Sequence, residues 1–171
     1  MNKKTIKILL IVVAALVLGS CIFMFTISPI NLKKGNREMP EATAMTNEIT
    51  SGVVVEQKFK NITDNINEIA IVFTRLYEQE DCSLVIELLD GNDVLAMNVV
   101  YGPDVKGDHR TYAYPNAPIT GYVGKELTLR IHSDTTAGTG LAVMVNEKEN
   151  TTYNFGENIK KGTICFSITG E

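Results

Sequence analysis

The chain has 171 residues and a formal net charge of −4, enough for one globular domain with a real core beside an N-terminal segment. The charge is uneven: residues 1–37 hold six basic residues and no acidic one, whereas residues 38–171 hold ten basic and all twenty acidic ones, a net of −10. That balance argues against nucleic acid as a partner, because phosphate binding needs a basic face, and it disfavours bulk attraction to an anionic wall polymer.

The first element is a run of 23 uncharged residues, 8–30, behind a basic tail, residues 1–7, carrying Lys3, Lys4 and Lys7. At about 1.5 Å per residue a helix of that length reaches roughly 34 Å, enough to cross a hydrocarbon core of about 30 Å. The pattern predicts a single-pass anchor in the cell membrane, with the amino end in the cytoplasm and the rest of the chain outside. Lys33, Lys34 and Arg37 on the far side weaken the charge asymmetry that sets this orientation. Two other readings stay open. Gly19 and Ser20 precede Cys21, so the chain also fits a lipoprotein cut before Cys21 and lipidated there. Ala42-Thr43-Ala44 has the residues of a signal-cleavage site but lies more than ten positions past the apolar run. The anchor is favoured, because cleavage before Cys21 would leave an apolar stretch, Ile22 to Ile30, where a polar tether is needed.

Residues 31–50 are polar and aperiodic and are expected to form a stalk. After Gly52 the texture changes to short β-type runs between turn residues. Val53, Val55 and Phe59 alternate with Glu56, Lys58 and Lys60. Residues 66–77 are apolar on both faces around Ile69-Ala70-Ile71-Val72-Phe73, the mark of a central strand. Leu84, Ile86 and Leu88 lead through Asp90-Gly91-Asn92-Asp93 into Val94–Val100, a hairpin with the turn chemistry it requires. Leu127, Leu129 and Ile131, then Leu141, Val143 and Val145, then Ile164, Phe166 and Ile168 give three more inward sets. Period two prevails over any helical stripe throughout, so residues 51–171 are predicted to form an antiparallel β-sandwich of seven to nine strands.

The order "GVVVEQKF", "INEIAIVF", "SLVIELLDGNDVL", "GKELTLRI" resembles the jelly-roll-like β-sandwich modules of bacterial membrane-anchored surface and envelope proteins, whose fold is similar to that of carbohydrate-binding modules. The resemblance implies an extracytoplasmic binding module for an envelope protein or glycan; because the residues carry no catalytic signature, no enzymatic activity and no cofactor are expected. It carries over no binding site. The complete absence of Trp departs from the commonest sugar-stacking platform.

Candidate site residues divide by chemistry. Tyr112 and Tyr114 lie two apart and would share a strand face at about 7 Å. With Tyr101 or Tyr122 they are the ligand-stacking candidates, set against simple packing of a sandwich edge. Asp90, Asn92 and Asp93, with Asp104, Asp108 and Asp134 farther away, offer oxygens to a hard cation, but a tight hairpin demands the same residues. His109 beside Asp108, and His132 near Asp134, are the histidines available to an acid–base site. Neighbours on a strand point to opposite faces, so Asp108 and His109 are not a dyad, and no nucleophile elbow or zinc spacing accompanies them. Cys82 and Cys165 could bridge in an oxidising compartment, but their strand phases place them on different faces, so no disulfide is favoured. Asn61-Ile62-Thr63 and Asn150-Thr151-Thr152 match the glycosylation triplet, which matters only in a eukaryotic secretory path.

Overall fold

The structure is a computed structural model that describes residues 37–106, 110–136 and 138–170. The anchor span 8–30 and Cys21 lie outside these residues, and no helix among the described residues is long and apolar enough to cross a membrane.

Among the described residues the chain forms twelve strands and one short 3-10 turn, Gly102–Asp104. The strands are β1 (Ala44–Met45), β2 (Val54–Lys60), β3 (Asn65–Arg75), β4 (Ser83–Asp90), β5 (Asp93–Tyr101), β6 (Arg110–Thr120), β7 (Glu126–Ser133), β8 (Leu141–Asn146), β9 (Thr152–Phe155), β10 (Asn158–Lys161), β11 (Thr163–Ile164) and β12 (Phe166–Thr169). They build two antiparallel sheets. One contains β1, β8, β3 and β6, with β11 and β12 added to it; the other runs β10-β9-β2-β7-β4-β5. The inward positions expected from period two meet between the sheets. Ile69, Ile71, Phe73, Leu141, Val143, Ile164, Phe166 and Ile168 pack from one side, and Val55, Leu84, Ile86, Leu88, Leu127, Leu129 and Ile131 from the other. Each such side chain contributes about 1.5–3 kcal/mol through burial, which is why alternation decides the strand phase. The β4–β5 hairpin forms as expected: Asp90 and Asp93 face each other, and Gly91 supplies the positive φ of 61° that the two-residue turn requires.

Three features exceed the sequence expectation. First, Gln57 shares the inward phase of Val55 and Phe59 and is buried. Its side-chain nitrogen donates to Thr163 Oγ1 at 2.6 Å, and its side-chain oxygen accepts the Ile164 N–H at 2.6 Å. A buried amide is tolerated because both its ends are satisfied.

Second, β11 and β12 wedge between β8 and β3. β11 pairs with β8 and β12 with β3. At the join, the Cys165 N–H donates to the Met144 carbonyl at 2.8 Å, and the Cys165 carbonyl accepts from Val72 N–H at 3.0 Å.

Third, the segment expected as a stalk belongs to the sandwich from Arg37 onward. Thr43, Thr46 and Ile49 donate backbone N–H groups to Val145, Val143 and Leu141, and Ile49 is fully buried. Met39 and Ala42 cover a second, outer cluster of Val72, Met144 and Cys165. That cover explains why the central strand β3 is apolar on both faces. Arg37 pairs with Ile168, donates to Thr163 Oγ1 at 3.0 Å and stacks 4.1 Å from the Phe166 ring centre. The extra strands over the expected seven to nine include β1, which this segment adds, and the β9–β10 hairpin.

Candidate functional site

Residues opposed across an antiparallel pair share a face, so strand register defines the outer surface of the β2-β7-β4-β5 sheet. One row across it is Glu56, Arg130, Glu87 and Met97; the next is Val54, His132, Val85 and Val99. The alternate residues Leu84, Ile86, Leu88, Leu129 and Ile131 fill the core, which leaves these rows facing outward.

Arg130 sits between two carboxylates. Its Nε donates to Glu56 Oε1 at 2.6 Å, and Nη1 lies 3.5 Å from Glu87 Oε2. The hydrogen bond to Glu56 holds the guanidinium above the usual arginine value, partial burial opposes that shift, and the charges of Glu56 and Glu87 reinforce it. His132 stands between Glu87 Oε2, 3.6 Å from Nε2, and Asp134 Oδ1, 3.5 Å from Nδ1. Val54, Glu56, Arg130 and His132 line an open depression of about 400 Å³. Along one margin, edge strand β5 exposes Met97 (62%), Val99 (43%) and Tyr101 (60%). The surface therefore couples pre-oriented donors and acceptors with an apolar border, suited to holding a ligand that has both polar and apolar faces. The hydroxyl of Ser133, next to His132, contacts the Ser83 carbonyl at 3.2 Å and the Thr135 hydroxyl at 2.8 Å.

The tyrosines expected as one stacking set are not gathered together. Tyr101 is exposed on β5. Tyr114, on β6 of the other sheet, packs against the core. Tyr122 also packs against the core, with Lys125 Nζ 4.5 Å from its ring centre. The Tyr112 backbone pairs with Ile71, and its side chain lies outside the described residues, as do Asp108 and His109. Asp90 accepts from Lys125 Nζ at 3.0 Å. Asn92 lies in the hairpin turn and Asp93 closes it, while Asp104 ends the 3-10 turn. Among the described residues no group of three or more His, Cys, Asp or Glu is arranged to hold a metal ion.

Cys82 and Cys165 are free thiols in separate surroundings. Cys82 Sγ donates to the Thr139 carbonyl at 3.0 Å, and Cys165 lies in the outer cluster with Val72 and Met144. Asn61 is buried, its amide donating to the carbonyls of Thr63 and Tyr122; a buried amide is poorly placed for glycosylation.

Glu56, Glu87 and Arg130 were missed as a site by sequence reasoning. The available signal was Glu87, a lone acid inside the apolar run Leu84–Leu89. No family model, curated protein or solved structure matches the chain.

Proposed function

We propose that the chain is a membrane-anchored, extracytoplasmic binding module, non-enzymatic and accessory to a bacterial cell-envelope process. In this reading residues 8–30 hold it in the bilayer, and the outer face around Arg130 meets an envelope protein or glycan. The lipoprotein alternative, lipidated at Cys21, would display the same domain. The strand orders β1-β8-β3-β6 and β2-β7-β4-β5 support a jelly roll, two Greek keys laid face to face. The observation that carries the reading is Arg130, fixed by Glu56 and Glu87 on a solvent-facing sheet beside exposed Met97, Val99 and Tyr101. Those groups are oriented before any ligand arrives, which lowers the ordering cost of binding.

The experiment is photo-crosslinking of the full chain in native membranes, with a photoreactive residue at Val54 in the depression. An envelope component captured in the wild type and lost with Arg130→Ala supports the proposal; no product beyond the chain itself overturns it. Exposed Tyr101 favours a glycan as the second reading, since an aromatic face beside hydrogen-bonding groups suits a sugar. Polysaccharide pull-down that Tyr101→Ala leaves unchanged would remove that reading.

A further inference from the structure

A sandwich has sheet edges, and an open edge is a template for pairing unless it is protected. Three edges here carry recognised protection. β1 is two residues long, β6 contains Pro115 and Pro118, and β10 ends in Lys160 and Lys161. β5 has none. Its residues 94–101, Val-Leu-Ala-Met-Asn-Val-Val-Tyr, carry no charge, no proline and no glycine. Among the described residues β5 pairs only with β4. The outward phase of this edge is Met97, Val99 and Tyr101, all exposed. On the inward phase, Asn98 opposes Ile86, and its Nδ2 is buried without a hydrogen-bond partner among the described residues. An uncharged strand with an open side is a ready template for pairing.

We propose that a second copy of this chain covers it: β5 pairs antiparallel with β5 of the other copy about a two-fold axis normal to the sheet, making one continuous sheet across the dimer. The second copy fits on two counts. An uncharged edge needs an uncharged partner, and among the four edges of the sandwich β5 alone supplies one. A two-fold axis in this direction keeps inward and outward phases matched, so each outward row of Met97, Val99 and Tyr101 adjoins its own counterpart. The dimer joins two copies of the Arg130 surface into one double-width face with an apolar centre. Its strength rests in part on the membrane-anchor reading, because tethering in one membrane raises the effective concentration of two copies joined by a single strand pair.

The test places one new cysteine at a time from Leu95 to Tyr101 in the full chain with Cys21→Ala, whose remaining thiols Cys82 and Cys165 are buried and set the background, and oxidises it in native membranes with copper–phenanthroline. Two thiols lose their hydrogens to the oxidant and form one disulfide, read as a doubling of mass on a non-reducing gel. The expected result is a dimer band at positions near the axis, at least about tenfold above that of Ile159→Cys on β10, and lost when Val94→Lys is added. No band above the Ile159→Cys level at any scanned position overturns the proposal, as do products only with a protein of another mass. Protease resistance of each variant reports its folding. Retention of the chain in carbonate-washed membranes tests the anchor separately, so failure of one reading is distinguishable from failure of the other.

Discussion

The side-chain oxygen of Gln57 on β2 accepts the backbone N–H of Ile164 on β11, 107 residues later and in the opposite sheet, at 2.6 Å. The same amide donates to Thr163 Oγ1, so one polar side chain fixes where β11 lies across the sandwich. Gln57→Leu keeps the approximate volume, removes both bonds and leaves the Ile164 N–H buried without its acceptor. The expected loss is about 2–3 kcal/mol, measured as a shift in urea midpoint with an unchanged slope. An unaltered midpoint would show that the amide contributes nothing net.

Cys165 reports on the segment that covers it. Burial pushes its thiol up to about 11, with Arg37 pulling the other way, and the thiolate is the form that alkylates. Iodoacetamide at about pH 8 should leave Cys165 unlabelled in the native chain. Arg37→Ala combined with Met39→Ser loosens the cover and should make Cys165 label well before global unfolding. Equal protection in the variant, read by mass mapping, would mean that the segment is not what shields the thiol.

Glu48 gives the domain a pH signature. It accepts from the Tyr77 hydroxyl and from the Gly140 N–H at 2.8 Å, and these bonds hold its carboxyl below the ordinary value of 4.5. The folded value lies below the unfolded one, so this stabilisation is fully present above about pH 4.5 and is lost as pH falls through the folded value. Glu48→Gln should therefore flatten the acid limb of the stability curve. Wild type and variant falling in parallel below that pH would refute the assignment.

Arg130 and Glu56 are coupled, though their side chains remain 35% and 28% exposed. Solvent screening limits the pair, so a double-mutant cycle with Arg130→Met and Glu56→Gln should return about 0.5–1 kcal/mol. High salt should lower that coupling, and a coupling indifferent to salt would argue against an ion pair at this position.

Much of the sandwich is legible in the sequence because alternation and burial are the same signal. Leu127, Leu129 and Ile131 announce their face, and Asp90-Gly91-Asn92-Asp93 announces its turn. The segment from Arg37 to Thr50 is not legible in this way. It is held by backbone bonds and by the side chains of Thr43, Thr46 and Glu48, which look like a polar linker when read alone. Gln57 is opaque for a related reason, since its partners lie 106 and 107 residues away. The site is harder still to read. Glu56, Glu87 and Arg130 sit on three strands that only the sheet order brings side by side, and no local spacing links them. The tyrosines mislead in the opposite sense, because Tyr101 lies exposed on β5 while Tyr114 and Tyr122 pack against the core.

The wedge formed by β11 and β12 also bears on how the protein is made. These late strands fill a gap between β8 and β3 and receive Arg37 from the other end of the described chain. While β12 is still in the ribosome, one sheet is missing part of its interior and the N-terminal arm has no Ile168 or Phe166 to settle on. On this strand order the sheet is not complete until β12 has been made. A product that stops before Thr163 would lack β11 and β12, and with them the partners of Gln57 and Arg37.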